Sequence, residues 1–344
     1  MIYFNCDYNE GAHPAILEML EKTNWEQTIG YGMDPYCEKA RELIRRECRA
    51  PEADVHFLVG GTQTNTTAVS SVLRPHQGVI SAESGHIQAH ETGAIEACGH
   101  RVITVPSKDG KITAEQIHRI WTGHWEDSNH EHMVQPKMVY LSHPTESGTL
   151  YSLEELEAVS NICRACGMYL YLDGARLGYG ICARDSTVSL PDISRLCDIF
   201  YIGGTKQGAL FGEALVITNT DLKPDFRYFI KQKGGMLAKG RLLGLQFIAL
   251  FEDGIYYQIA EHADRMADCI REACVRKRIP FLFETKANQL FPVLTHSQVK
   301  KLEKEFVLSL WEKLEGDRYG MRICTSWATT EEQVQALTVA IDKL

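Results

Sequence analysis

The sequence has no excess of positive charge and no long hydrophobic run. It contains 36 lysine and arginine residues against 45 aspartate and glutamate residues, a formal net charge of -9. Nothing in this balance attracts nucleic acid or anionic lipid. No apolar stretch approaches the roughly 20 residues that span a bilayer, and no basic region followed by an apolar one opens the chain. We therefore expect a cytoplasmic protein whose partner is a small molecule, with no nucleic-acid or membrane partner.

Paired cysteines and dense metal-binding motifs are also lacking. The eleven cysteines are an odd number and lie mostly in apolar segments, which favours reduced, buried thiols. Cys163 and Cys166 form a single CxxC with no second pair to complete a zinc site. His124, His130 and His132 are a better-looking metal candidate, because three imidazoles lie close together, but their polar surroundings indicate a solvated loop. We expect no metal site.

Internal repeats, low-complexity linkers and a GxGxxG fingerprint are missing as well, and the last absence weighs against a nicotinamide or flavin Rossmann enzyme. What is present is ordinary globular composition: 344 residues, 44% hydrophobic and 24% charged. This length suggests two domains.

Short apolar runs alternate with longer amphipathic segments between residues 51 and 218, which is typical of a doubly wound α/β domain. Seven strands are predicted, and they should form a large, mainly parallel sheet. The predicted strands are Val55–Val59, Gly78–Ser81, Arg101–Val105, Lys137–Ser142, Met168–Leu172, Asp198–Ile202 and Ala214–Ile217.

Helix starts are indicated by two capping-box sequences, one beginning at Thr113 and the other at Ser152. Beyond residue 220 the pattern predicts longer helices, over 237–274, 297–314 and 329–344. The sequence therefore predicts an N-terminal arm and large α/β domain over residues 1–235. A connecting helix and a smaller C-terminal α+β domain should occupy residues 236–344.

Two strand ends carry residues suited to a phosphorylated ligand. Gly60 and Gly61 follow the first predicted strand and lead into a helix whose free amides could bind a phosphate, although an ordinary strand-to-helix turn would look similar. His86 follows the second strand and could stack on an aromatic cofactor or transfer a proton, with Glu91 as a further polar contact. Ligands bind at such carboxyl ends in open α/β sheets.

Two later strand ends carry buried charges. Asp173 ends one apolar strand, and Lys206 follows another. Taken singly, they could be partners in a structural ion pair. Together with the glycine turn and His86 they indicate pyridoxal phosphate (PLP), because a carboxylate can pair with its pyridine nitrogen and a desolvated lysine can attack its aldehyde.

In this order and spacing the residues resemble PLP-dependent enzymes of fold type I, and within them the threonine aldolase group, which also contains β-eliminating lyases. The resemblance runs along nearly the whole chain. Its most specific segments are Tyr31–Pro35, Gly60–Asn65 and Asp173–Leu177. The sequence departs from the common pattern in three places. Better-known members have serine where this chain has Cys6, and histidine where it has Glu146. They also have serine before and glycine after the lysine, where this chain has Thr205 and Gln207.

The resemblance implies a role for each matching residue. The implied catalytic residues are Lys206, Asp173 and His86. Lys206 would form a Schiff base with the cofactor, Asp173 would hold the pyridine nitrogen, and His86 would stack on the ring. The implied cofactor-binding residues are Gly60, Gly61, Thr62, His86, Asp173, Arg176, Thr205 and Lys206. The implied substrate-binding residues are Cys6, Tyr31, Glu146, Arg176 and Arg322. Arg176 and Arg322 would bind the carboxylate, and Tyr31 would reach the site of a neighbouring subunit in a homodimer or homotetramer.

The reaction implied is aldol cleavage of L-threonine, L-allo-threonine and related 3-hydroxy amino acids to glycine and an aldehyde. His86, Glu146 or a water between them would take the hydroxyl proton. Three other readings stay open. The same cofactor could support β-elimination, racemisation or transamination; the fold could serve a non-catalytic binding protein; and an NAD-dependent dehydrogenase is disfavoured by the missing glycine fingerprint.

Overall fold

The structure, a computed structural model, describes all 344 residues. It contains 13 strands and 14 α-helices. The strands are β1 (Ile2–Tyr3), β2 (Asp54–Leu58), β3 (Gln77–Ala82), β4 (Arg101–Val105), β5 (Gln135–Ser142), β6 (Tyr169–Asp173), β7 (Ile199–Gly203), β8 (Glu213–Ile217), β9 (Gln289–Leu290), β10 (Val293–Thr295), β11 (Phe306–Val307), β12 (Ser309–Lys313) and β13 (Arg318–Cys324). The helices are α1 (Pro14–Thr23), α2 (Pro35–Glu47), α3 (Gly61–Val72), α4 (His86–Ala89), α5 (Ala94–Ala97), α6 (Ala114–Trp125), α7 (Leu153–Ala165), α8 (Leu177–Cys182), α9 (Leu190–Leu196), α10 (Phe226–Gln232), α11 (Arg241–Phe251), α12 (Ile255–Arg276), α13 (His296–Leu302) and α14 (Glu331–Asp342).

Seven strands form one large sheet in the order β2-β8-β7-β6-β5-β3-β4. All neighbours are parallel except β8, which is antiparallel to both β2 and β7. Each of the seven predicted strands is present, with ends shifted by two residues or fewer, so the predicted mainly parallel sheet is confirmed. Hydrophobic cores of 48 and 18 buried residues pack against it, as expected when helices cover both faces of a parallel sheet.

Both predicted capping boxes are confirmed. The Thr113 hydroxyl accepts from the Gln116 amide at the start of α6, and the Ser152 hydroxyl accepts from the Glu155 amide at the start of α7. In each case the side chain of the third helical residue bonds back to the cap residue's N–H. These local signals fix where two of the covering helices begin.

The remaining strands belong to a smaller α+β unit near the C-terminus. Here β10, β13 and β12 form an antiparallel sheet, and β9 also pairs with β13. A third core of 17 buried residues joins this sheet to α14 and the second half of α12. The N-terminal strand β1 pairs in parallel with β11, and Phe4 enters this core. The first residues therefore pack on the last part of the chain.

Two of the predicted long helices are wrong in part. The stretch 237–274 is divided into α11 and α12, because the chain turns at Gly254 with a φ of 68°. The stretch 297–314 is helical only to Leu302, after which β11 and β12 follow. Val299, Leu302 and Phe306 have helical spacing and all lie in the third core, but Phe306 reaches that core from a strand.

None of the helices combines the length and the apolar character needed to cross a membrane.

Candidate active site

A cavity of about 280 Å³ opens at the carboxyl ends of β2, β5, β6 and β7, where ligands bind in sheets of this type. The cavity gathers most of the predicted site residues from distant parts of the sequence. Those lining it are Gly60, Gly61, Thr62, His86, Glu146, Asp173, Arg176, Thr205 and Lys206. The strand ends singled out in the sequence therefore meet in one place.

Asp173, the last residue of β6, is 4% exposed and bound by four donors. Its Oδ1 accepts from the Tyr201 hydroxyl at 2.5 Å and the Ala175 amide at 3.0 Å. Its Oδ2 accepts from the Tyr140 hydroxyl at 2.6 Å and Asn65 Nδ2 at 3.2 Å. None of these donors is charged. The carboxylate therefore presents a buried negative charge to the cavity without a salt bridge, and such a charge is costly unless a cation meets it.

Three buried tyrosines surround this carboxylate from neighbouring strands. Tyr140, Tyr171 and Tyr201 lie on β5, β6 and β7, and burial raises the pKa of each hydroxyl well above its usual value. They therefore remain protonated donors. Tyr171 donates to Asn65 Oδ1 at 2.6 Å. Sequence reasoning missed this set, although a tyrosine in each of three successive apolar strands was a visible signal.

Lys206 lies in the turn after β7, where the Tyr179 hydroxyl donates to its carbonyl at 2.5 Å. Burial, followed by the nearby charge of Arg176, lowers the pKa of its amine, and the carboxylates of Asp7 and Asp173 oppose this shift. A lower pKa leaves more of the amine neutral near pH 7. That is the form that attacks a carbonyl carbon.

Glu213 anchors the turn that carries Lys206. It accepts from the Thr205 hydroxyl at 3.1 Å and from the Gly204 amide at 3.2 Å. The Thr205 hydroxyl in turn accepts from the Gly212 amide at 3.0 Å. Burial raises the pKa of Glu213 to about 8. Its position at the start of the apolar strand β8 was the only sequence signal for this residue.

His86 begins α4 and contacts two carboxylates. Its Nδ1 lies 2.7 Å from Oε1 of the buried Glu91, and its backbone N–H donates to Glu146 Oε1 at 2.8 Å. Burial alone would lower the pKa of His86. The Glu91 hydrogen bond and the charge of Asp173 outweigh it and raise the pKa. Asn65 Nδ2 donates to Glu91 Oε1 at 2.7 Å and also to Asp173. One side-chain amide therefore joins Asp173 to the carboxylate that contacts His86.

Glu146 lies in the loop after β5, at the mouth of the same cavity. Its Oε1 accepts from the Ser142 hydroxyl at 2.6 Å as well as from the His86 amide. Burial raises the pKa of Glu146. A carboxylate with a raised pKa is a stronger base, and it is therefore better suited to accepting and returning a proton.

The first turn of α3 closes the opposite side of the cavity. No side chain caps this helix, so its first N–H groups are free to bind an anion. Gly61 allows the Tyr201 hydroxyl to approach this turn, because an added Cβ would lie 3.1 Å from the hydroxyl oxygen. Gly60, Gly61 and Thr62 all border the cavity.

Arg176 and Arg322 meet in an outer extension of the crevice of about 420 Å³. Arg176 forms a two-point ion pair with Asp7, with Nε to Oδ2 at 2.7 Å and Nη2 to Oδ1 at 3.0 Å. Arg322 Nη2 donates to the Asn5 carbonyl at 3.1 Å, while its buried Nε has no partner. Asp7, whose role sequence reasoning missed, therefore orients Arg176 toward the crevice.

Two predicted substrate-binding residues are not brought to this crevice. The Cys6 thiol donates to Asn9 Oδ1 at 3.1 Å within the N-terminal segment, and Tyr8 borders the cavity instead. Tyr31 is 48% exposed on another part of the surface, with its ring 5.1 Å from Lys231 Nζ. Within one chain, Tyr31 contacts none of the other site residues.

The histidine-rich loop brings two imidazoles near each other, with the His124 and His130 ring centres 5.7 Å apart. No group of three or more histidine, cysteine, aspartate or glutamate side chains in the structure is placed to hold a metal ion.

The residues present fit PLP. Asp173 offers an unneutralised buried carboxylate for a protonated pyridine nitrogen, and Lys206 offers an amine with a lowered pKa. The uncapped start of α3 offers free amides for a phosphate. All three border one cavity.

Comparison with known proteins agrees with this site. A family model described as beta-eliminating lyase matches residues 12–297. The low specificity L-threonine aldolase of Pseudomonas sp. strain NCIMB 10558 is 28% identical over 348 residues, covering 98% of this chain and 96% of that protein. The solved structure of Leishmania major threonine aldolase has 43% identity and a TM-score of 0.97, covering 100% of this chain and 99% of that one. Thermus thermophilus aspartate aminotransferase, at 15% identity and a TM-score of 0.73 over 100% of this chain and 91% of that one, shares the fold.

Proposed function

The chain belongs to the beta-eliminating lyase family, and we propose that it is a PLP-dependent aldolase of the threonine aldolase type. It cleaves L-threonine, L-allo-threonine and related 3-hydroxy amino acids to glycine and an aldehyde. The fold is that of type I PLP-dependent enzymes. One observation carries the proposal. The Asp173 carboxylate, which has no salt bridge, the Lys206 amine and the contact between His86 and Glu146 all border the same cavity.

The cofactor supplies, when bound, an electron sink for the negative charge left on Cα when the bond to Cβ breaks. Asp173 would hold the proton of its ring nitrogen, and the four neutral donors would hold that carboxylate in position. Lys206 would hold its aldehyde carbon. Gly60, Gly61 and Thr62 would bind its phosphate, and His86 would cover one face of the ring.

The substrate carboxylate would bind to Arg176 and Arg322, whose guanidinium groups suit its planar geometry. Asp7 orients Arg176 for this contact. The hydroxyl proton would pass to His86, to Glu146 or to a water between them, since both side chains border the cavity. Glu146 then occupies the place where better-known family members have a histidine.

Product analysis tests this reaction against the other reactions of the cofactor. The purified holoenzyme should convert L-threonine to equal amounts of glycine and acetaldehyde, and the Lys206→Ala variant should not. A 2-oxo acid with ammonia would instead identify an eliminating lyase. An amino-group transfer to an added 2-oxo acid would identify an aminotransferase, and the appearance of the D-isomer a racemase. Any of these products in place of glycine contradicts the proposal.

The active unit would be a homodimer or homotetramer with sites at the subunit interface. The segment that carries Tyr31 exposes four large apolar side chains: Trp25 is 92% exposed, Ile29 69%, Tyr31 48% and Met33 59%. Such a contiguous apolar segment usually marks a protein contact. A second copy of the chain would cover it and bring Tyr31 to the partner's crevice.

A cytoplasmic location fits the cysteines. All eleven are free thiols, and most are buried. A reducing compartment keeps such thiols unpaired.

A further inference from the structure

Glu213 is a buried carboxyl group that the proposed reaction leaves unused. It is the first residue of β8, lies between β2 and β7 in the sheet and is 4% exposed. It borders the same cavity as Lys206. Its two oxygens accept from the Thr205 hydroxyl and from the Gly204 amide. Both donors are neutral and no salt bridge reaches the carboxylate, so its charge has no direct partner.

The charged groups of the inner cavity leave Lys206 and Glu213 to balance each other. Asp7 neutralises Arg176 through their two-point ion pair. Asp173 is the carboxylate assigned above to the ring nitrogen of the cofactor. One amine and one carboxyl group therefore remain, and they belong to neighbouring strand ends that the turn after β7 joins.

The other ionisable groups around Glu213 do not compete for this proton. Tyr171 on β6, Tyr201 on β7 and Tyr256 on α12 face it, and burial raises the pKa of each hydroxyl well above its usual value. These hydroxyls therefore stay protonated. Glu146 lies at the mouth of the cavity, bonded to the end of β5 and the start of α4. The end of β2 contributes only apolar and glycine residues.

Burial favours the uncharged forms of both groups. It lowers the pKa of the Lys206 amine and raises that of the Glu213 carboxyl group to about 8, while the charge of each opposes the shift of the other. Two opposite charges that are buried without direct contact lose more hydration energy than their attraction returns. Moving one proton from the nitrogen to the oxygen removes both charges.

We propose that Glu213 accepts the proton of the Lys206 ammonium group and later returns it, which keeps this lysine a neutral nucleophile inside the cavity. This inference rests on the proposed function of Lys206 as the cofactor lysine. In the transfer, an N–H bond of the ammonium group breaks and an O–H bond forms on the carboxylate, which leaves an uncharged amine and an uncharged acid. A water in the cavity of about 280 Å³ would relay the proton, since the two side chains form no salt bridge.

A pH titration of the visible absorbance of the holoenzyme tests this role, because the colour of bound PLP depends on the proton of the Lys206 nitrogen. An ionised Glu213 favours that proton. Glu213→Gln, which keeps the shape and removes the charge, should therefore move the midpoint to lower pH by about one unit. Glu213→Asp keeps the charge and should keep most of the wild-type midpoint. An unchanged midpoint in Glu213→Gln, or an equal shift in Glu213→Asp, would overturn the proposal.

Asp264 on α12 provides a matched control. It is also a buried acid, 6% exposed, and burial raises its pKa well above the usual value, but it does not border the cavity. Asp264→Asn should leave the midpoint in place. A shift equal to that of Glu213→Gln would trace the effect to the loss of any buried acid and would also overturn the proposal.

The reciprocal measurement reads the proton on Glu213 in the cofactor-free, full-length chain. An infrared carbonyl band of a protonated carboxylic acid that is missing from Glu213→Gln belongs to Glu213. Because the charge of Lys206 favours the carboxylate, this band should persist to higher pH in Lys206→Met. The same pH dependence with and without the lysine amine would overturn the proton exchange. A purified enzyme that binds no PLP would overturn the cofactor function, while the infrared comparison would still decide the exchange.

Discussion

At the scale of single residues, Asn65 connects two parts of the site. Its Nδ2 donates both to Asp173 at 3.2 Å and to Glu91 at 2.7 Å, and Glu91 holds His86 Nδ1. The side chain that would face the cofactor's ring nitrogen and the one that would cover its ring are therefore positioned by a shared amide. The charge on Glu91 should control the protonation of His86.

Replacing Glu91 with glutamine tests this control. The hydrogen bond and charge of Glu91 help to raise the pKa of His86 against the effect of burial. Removing the charge lowers that pKa, so the limb of the kcat/KM–pH profile that His86 sets should move to lower pH. The same substitution at the exposed Glu96 should leave the profile in place. A profile that does not move in Glu91→Gln would show that His86 does not titrate in catalysis.

The sequence could identify those site residues that lie shortly after an apolar run, because such a run predicts a strand and its end. Asp173 follows an apolar run directly, and Lys206 and His86 follow theirs within five residues. Tyr201, Tyr140 and Asn65, which lie 28, 33 and 108 residues from Asp173, come to its carboxylate only through the order of strands in the sheet. That order is a property of the folded chain, so the sequence shows a tyrosine in each of these strands but not that Tyr140 and Tyr201 bind Asp173.

At the scale of elements, the turn after β6 passes unusually close to β7. A Cβ on Gly174 would lie 2.0 Å from the Tyr201 carbonyl oxygen, a backbone atom that cannot rotate away. The same segment places Asp173 and Arg176 in the cavity. Glycine at this position therefore fixes the spacing of two strand ends that together build the site.

Alanine at Gly174 should be strongly destabilising. We expect the free energy of unfolding to fall by about 3 kcal/mol, at the upper end for overpacking, because the backbone must separate. The same change at Gly123, in α6 with nothing within 4 Å of the added Cβ, should raise it by about 0.5–1 kcal/mol, since alanine is the better helix former. Urea unfolding of the two variants measures both effects. Equal effects at the two positions would refute the close approach.

Elements with local start signals were predictable, and those completed by distant pairing were not. The capping boxes at Thr113 and Ser152 each lie within four residues of sequence. By contrast, Phe306 and Val307 become a strand by pairing with Ile2 and Tyr3 at the other end of the chain. Their apolar spacing alone also fits a helix.

At the scale of the whole molecule, the division into residues 1–235 and 236–344 stays a prediction. The helix α11 and the first half of α12 pack in the core of the large sheet, and the second half of α12 packs in the smaller core. These helices therefore connect the two parts. The crevice lies where both parts contribute, with Lys206 and Asp173 from one and Arg322 from the other.

The proposed subunit interface predicts complementation between two inactive variants. In a two-fold dimer that combines a Lys206→Ala chain with a Tyr31→Ala chain, one site carries both defects and the other carries neither, provided that Tyr31 acts on the partner's site. Co-expression should therefore restore activity that each variant lacks alone. If Tyr31 acted within its own chain, every mixed site would carry one defect and activity would stay absent. Sedimentation of each variant checks that the oligomer still forms.

The central claim is that Lys206 carries the cofactor, and borohydride reduction of the holoenzyme tests it most directly. Reduction fixes PLP on the lysine that holds it, and peptide mass spectrometry then identifies that lysine. We predict the pyridoxyl group on the peptide that contains Lys206 and its absence from Lys206→Ala. A pyridoxyl group on another lysine of the native enzyme, or none at all, would contradict the account.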